Sequence, residues 1–237
     1  MAAQGRDVRL SEERIEGYRN FATKLWNATR YCEMNGCNPN PDFTPEQANE
    51  TINKWIIGAL MDAKTSIEQH LNDYRFNDAA NTIYQFVWGT FCDWYLEFTK
   101  PLLGEGNTND SLKQETRDTI GWVLDQILIL LNPFMPFITE ELYASIAPRP
   151  AGTLLMGQKW PTYAPELYQP AAAEEINWLI RSITEIRSVR SDMNVPVAAK
   201  LHMLVKDASP VTAQRLKTYD EILRRMARLD SITVSQD

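Results

Sequence analysis

Between Ser11 and Asp192 apolar residues return at steps of three and four in one run after another, and beyond Pro196 the step drops to two. A 3.6-residue period puts those side chains on one face of a helix, whereas a two-residue period puts them on one face of a strand. The chain is thereby committed to packed helices followed by a unit of another kind. The first run, from Ser11 to about Asn35, carries Ile15, Tyr18, Ala22, Leu25 and Cys32, with Thr29 as its polar interruption and Ser11 as its cap. The second opens at Thr44-Pro45-Glu46-Gln47, where a capping hydroxyl, a proline at the first helical position and a Gln at the third form a capping box. Its stripe, Ile52, Ile56, Ala59, Ala63, Ile67 and Leu71, reaches to about Tyr74.

A third helix should begin near Asn77 and stop before Pro101, because proline cannot continue the hydrogen-bond ladder. Tyr84, Trp88 and Tyr95 widen its apolar face, as expected of a central helix, and the Trp88, Phe91, Trp94, Tyr95 cluster is assigned to core. A fourth helix covers roughly Ser111 to Asn132, and a short fifth ends near Ala147. Prolines and glycines over 148–173 give an irregular crossover with an extended stretch at Thr153 to Met156. A sixth helix spans about Ala172 to Asp192, followed by a strand at Lys200 to Val205, a helix at Pro210 to Arg228 and a strand at Ser231 to Val234. The fold class is mainly α: a helical bundle over 1–194, then a small α+β, βαβ-like subdomain over 195–237.

Chemistry is restricted by what the chain lacks. His70 and His202 lie far apart, the three cysteines form no CxxC pair, and there is no GxxxxGK[ST], GxGxxG or GxSxG. No catalytic residue, metal site or cofactor is therefore expected in this chain. Asp93 and Glu97 are read as surface or ion-pairing acids. No apolar run approaches a membrane span of about 18 residues, and the opening residues lack the layout of a signal peptide, so a reducing, cytoplasmic setting is expected. The net charge of -7 argues against a uniformly basic nucleic-acid binder, yet 200–228 holds seven basic residues against three acidic ones.

Several of these runs resemble one family. Gly17-Tyr18-Arg19-Asn20-Phe21-Ala22-Thr23-Lys24-Leu25-Trp26-Asn27-Ala28-Thr29-Arg30 is similar to the first helix of the anticodon-binding domain of bacterial-type valyl-tRNA synthetases. Tyr74 to Ala80, Phe86 to Glu97, Leu131 to Leu142 and Ile186 to Pro196 continue the likeness in order over nearly the whole chain. The Phe-Cys-Asp-Trp-Tyr-Leu-Glu and Met-Asn-Val-Pro strings favour valine over the related isoleucine enzyme. The resemblance implies a class I synthetase anticodon-binding bundle. It also implies a C-terminal piece whose Gln4-Gly5-Arg6-Asp7 opening follows the catalytic domain and whose end precedes a coiled-coil arm.

By the same resemblance, the chain recognises the anticodon stem-loop of valine tRNA. It would do so as a monomer attached to the catalytic domain of its own polypeptide. The complete enzyme joins valine to tRNA with ATP, and this piece is non-catalytic. The alternative is a docking module against the catalytic domain with little RNA contact of its own.

Candidate RNA contacts follow from helical spacing. Arg19 and Arg30, eleven residues and about three turns apart, stand over one another with Thr23, Trp26 and Asn27 between them and Lys24 on the flank. Guanidinium, amide and aromatic groups suit the phosphates and splayed bases of a single-stranded loop. The competing assignment pairs the arginines with carboxylates and puts Trp26 in the core. Trp55, between Ile52 and Ile56, either stacks on a base or packs inside. Arg187 and Arg190 either line the RNA groove or form a solvated helix face.

Overall fold

The computed structural model describes residues 11–235, so the Gln4-Gly5-Arg6-Asp7 opening lies outside the described residues. The chain divides into two compact units between Gln169 and Pro170. The first holds α1 (Glu12–Met34), α2 (Thr51–Asn72), α3 (Phe76–Gln85), α4 (Leu96–Leu103), α5 (Asp110–Leu131) and α6 (Pro136–Ile146). The second holds α7 (Pro170–Asp192), β1 (Leu201–Lys206), α8 (Pro210–Thr218), α9 (Asp220–Ala227) and β2 (Leu229–Ser235).

In α1 the buried stripe is Phe21, Leu25, Ala28, Thr29 and Cys32. Thr29 is accommodated inside because its hydroxyl donates to Leu25 O at 3.0 Å, which satisfies its donor within its own helix. Ile15 and Tyr18, expected on the buried face, are 52% and 50% exposed. Ile15 lies six residues before Phe21, which on a helix turns it well away from the stripe that Phe21 and Leu25 define.

The Thr44 signal closes only a single 3-10 turn, Pro45–Gln47, with Gln47 Oε1 accepting the Thr44 N–H at 3.1 Å. The α-helix starts later, at Thr51. Glu115 of α5 explains the delay: its Oε1 accepts the amides of Asn49 and Glu50 at 2.9 and 2.8 Å and the Asn53 side-chain amide at 3.0 Å. A carboxylate from a distant helix thus does the work of a cap, at the end of α2 where the helix dipole favours negative charge.

The centre of the unit is a continuous helical rod from Phe76 to Leu103 whose middle, Phe86–Tyr95, is π-helical. Phe91, Tyr95 and Phe98 are fully buried there, beside Ile52, Ile56 and Leu60 of α2 and Ile120 and Leu124 of α5. Each such side chain contributes about 1.5–3 kcal/mol by leaving water. The rod runs through Pro101 instead of ending before it. With two residues left in α4 the missing N–H removes one ladder bond, and Gly104 N–H closes the end onto Pro101 O at 3.3 Å. α5 begins on Asn109, whose side chain accepts from Leu112 N–H at 3.0 Å. Its Gly121 lets another segment approach, since a Cβ there would meet Asn38 O at 2.5 Å.

The segment from Pro148 to Gln169 is irregular but tethered. The expected extended stretch is replaced by a 3-10 turn, Leu155–Gly157, because the Glu140 carboxylate takes the successive N–H groups of Leu155 and Met156 at 2.8 and 2.9 Å. Trp160 Nε1 donates to Glu68 at 3.0 Å, and Tyr163 OH donates to Gln126 at 3.0 Å.

In the second unit β1 and β2 pair in parallel, with Met203 opposite Ile232 and Val205 opposite Val234. A parallel pair requires a crossover, and α8 and α9 supply it. The expected single helix over Pro210 to Arg228 is broken at Tyr219, which is buried and donates its hydroxyl to Glu175 at 2.6 Å. The compact unit that carries the strands also takes in α7, from Pro170 on. α7 is bound into it by Arg187 Nε, which donates to Met226 O at 2.9 Å, and by Arg190.

Candidate nucleic-acid interface

With Phe21, Leu25, Ala28 and Cys32 turned inward, the opposite side of α1 presents Arg19, Trp26 and Arg30, seven and four residues apart, and Asn27 beside them. All four are exposed, Trp26 by 41%. Among the described residues Arg19 has no ion pair. Arg30 Nε lies 3.8 Å from Glu33 one turn on, a solvated pair worth little.

Lys24 flanks this stripe and is tied to the central rod. Its Nζ is 2.9 Å from Asp93 Oδ1 and 5.4 Å from the centre of the Trp88 ring. Trp88 and Asp93 are five residues apart, which in an α-helix would turn them well away from each other. The i to i+5 bonding of the π stretch stacks such positions, so both meet one ammonium. Burial opposes the Lys24 charge, but the hydrogen bond and charge of Asp93, aided by Cys92 and Glu97, hold it above its ordinary pKa. Phe21 backs the arrangement, 4.8 Å from the Tyr84 ring and 6.3 Å from Trp88.

Two of the expected contacts are enclosed. Trp55 is 6% exposed with its ring 6.0 Å from Phe98, so it packs in the core and offers no face to a base. Arg190 is 8% exposed and donates to Pro196, Ala199 and Arg228 carbonyls, which makes it an internal brace. Arg187 is exposed but belongs, like Arg190, to the second unit. Periodicity missed Trp88 as a partner of Lys24, and the aromatic–acid spacing of five is the signal that could have found it. Tyr31 of α1 takes a cation from the far end of the rod. Lys100 Nζ lies 5.8 Å over its ring, and burial, with the Cys37 charge next, pushes its hydroxyl up to about 12.

Among the described residues no three His, Cys, Asp or Glu side chains gather as a metal site, and no helix is long and apolar enough to cross a membrane.

The family described as the anticodon-binding domain of tRNA ligase matches residues 53–205, well over half of the chain. The chain belongs to that family. This anticodon-binding domain is 46% identical to the valine–tRNA ligase of Rhizorhabdus wittichii over 97% of the chain and 25% of that protein. The corresponding ligase of Rhizobium meliloti is 47% identical over 98% of the chain and 24% of its own length, and that of Brucella suis 46% over 100% and 26%. The domain thus spans about a quarter of the length of the curated relatives it matches.

Proposed function

We propose that this chain is the part of a valine–tRNA ligase that grips the anticodon stem-loop of valine tRNA. The longer protein, working as a monomer in the cytoplasm, would attach valine to that tRNA with ATP bound elsewhere in the polypeptide. The domain contributes binding and positioning, not chemistry, so it can accelerate a distant reaction only through interactions with the substrate. The observation that carries the reading is the exposed Arg19, Trp26, Asn27 and Arg30 row on α1 in a domain of this family. Guanidinium groups suit phosphates, and Trp26 and Asn27 suit an unstacked base. Fluorescence anisotropy with valine tRNA and with a variant of altered anticodon tests it at two salt concentrations. Tighter binding of the first, weakening steeply with salt, is expected; equal affinities at low salt would overturn the anticodon-reading part.

A second reading, docking against the remainder of the polypeptide, is favoured by Phe137, 90% exposed, and by the apolar cavity that Tyr18, Phe21, Tyr84 and Phe134 line. Absence of tRNA binding together with strong binding of an apolar dye would favour it.

A further inference from the structure

The second unit contains a cavity of 530 Å³ lined by the end of α7, the turn after it and the junction of α9 with β2. Among the described residues its charged lining is Arg187, Arg190 and Arg228, without a carboxylate; Ser191 and Asn194 add a hydroxyl and an amide. Arg187 and Arg228 are exposed at this opening, and Arg190 is enclosed beneath it.

Arg190 is the informative one. Its terminal nitrogens donate to Ala199 O at 2.7 Å, Pro196 O at 3.3 Å and Arg228 O at 3.4 Å. Those carbonyls satisfy its hydrogen bonds and carry no net charge. No ion pair among the described residues includes it, although it is 8% exposed. A desolvated cation with no counter-ion projects its field into the nearest opening and concentrates anions there. Arg228 stands exposed at that opening, in the left-handed turn at φ 56°, ψ 53° that ends α9. Arg187 is oriented by its Nε bond to Met226 O.

We propose that this cavity binds a phosphate group of a nucleic-acid backbone, with Arg228 and Arg187 at the oxygens and Arg190 supplying charge from beneath. Planar guanidinium groups match phosphate geometry, and the volume admits one nucleotide's phosphate and sugar. That the phosphate comes from RNA rests on the function proposed above; the anion chemistry does not.

The test uses the 237-residue chain, Arg228→Asn and Arg228→Lys. Asn removes the charge and tolerates the left-handed backbone, and circular dichroism checks that it folds. Valine tRNA affinity should fall about ten-fold in Arg228→Asn. The salt dependence should become shallower by about 0.7–0.9 in log–log slope, and Arg228→Lys should recover most of the loss. Millimolar pyrophosphate should raise the thermal midpoint of the wild type but not of Arg228→Asn.

If the wild type binds tRNA, Arg228→Asn binds with the same affinity and slope, and pyrophosphate does nothing, the cavity assignment is overturned while the anticodon reading stands. If the wild type ignores tRNA but pyrophosphate stabilises it through Arg228, the phosphate site stands with a free phosphate compound as its ligand, and the anticodon reading falls. Equal stabilisation of both proteins by pyrophosphate places the anion elsewhere and overturns the assignment.

Discussion

Lys24 Nζ holds Asp93 Oδ1 at 2.9 Å across 69 residues of sequence, joining the helix with the candidate RNA contacts to the π-helical stretch of the central rod. The carboxylate competes with any phosphate for that ammonium. Asp93→Asn should therefore raise affinity for valine tRNA by about two- to five-fold and cost less than about 1 kcal/mol of stability, since the pair is partly solvated. Anisotropy and denaturant melts read the two effects. A weakened or unchanged affinity would put Lys24 outside the RNA footprint.

Asn53 joins three helices from a fully buried position. Its Oδ1 accepts from Tyr95 OH at 2.9 Å and its Nδ2 donates to Glu115 Oε1 at 3.0 Å. Tyr95→Phe leaves that acceptor dry and unpaired, so stability should fall by about 1–3 kcal/mol with little change of volume. Glu115→Ala should cost more than Glu115→Gln, because the amide oxygen can still accept the Asn49 and Glu50 N–H groups just before α2. Urea unfolding of the three variants gives the order directly.

The sequence was most legible where one helix period holds. α2, α5 and α7 follow their apolar stripes, and the change of period after Pro196 located both strands. Tertiary partners decided the rest. Glu115 moved the start of α2 away from the Thr44 signal, and Glu140 bent the stretch expected to be extended. The π-helical turns around Trp88 obey a spacing that a 3.6-residue reading cannot see. At the candidate interface, spacing alone separated the Arg19–Trp26–Arg30 row from the core. It could not tell that Trp55 and Arg190 are enclosed, because enclosure depends on helices distant in sequence.

The thiols set an alkaline limit. Burial, acting first, pushes Cys37 and Cys92 up to about 12 and holds Cys32 well above its ordinary value of 9.0. A thiol raised in the folded state stabilises fully below its unfolded pKa. It loses that contribution as pH climbs from about 9 towards 12, because only the unfolded chain releases the proton. Stability should fall across that interval by up to about 1.4 kcal/mol per pH unit for each thiol, seen as a declining thermal midpoint. Iodoacetamide at pH 8 should label none of the three in the folded protein and all of them in urea, as mass spectrometry will show. Rapid labelling of the native state would contradict the burial of Cys37 and Cys92.

Trp26 and Trp55 allow recognition and stability to be separated. Trp55 packs on Phe98 with 6% exposure, so Trp55→Ala opens a cavity and should cost about 3–5 kcal/mol. Below its unfolding transition that variant should still bind valine tRNA as the wild type does, because the Trp55 ring is enclosed against Phe98. Trp26 is 41% exposed, and its removal should change stability by less than about 1 kcal/mol. If its ring stacks on a splayed base, Trp26→Ala should weaken binding by about 1–3 kcal/mol, a loss of five- to more than a hundred-fold. Trp26→Phe should recover part of it by restoring a stacking face, and it would recover nothing if Trp26 were only a spacer between Arg19 and Arg30. Paired melts and titrations of these three variants would assign one tryptophan to the core and the other to the ligand.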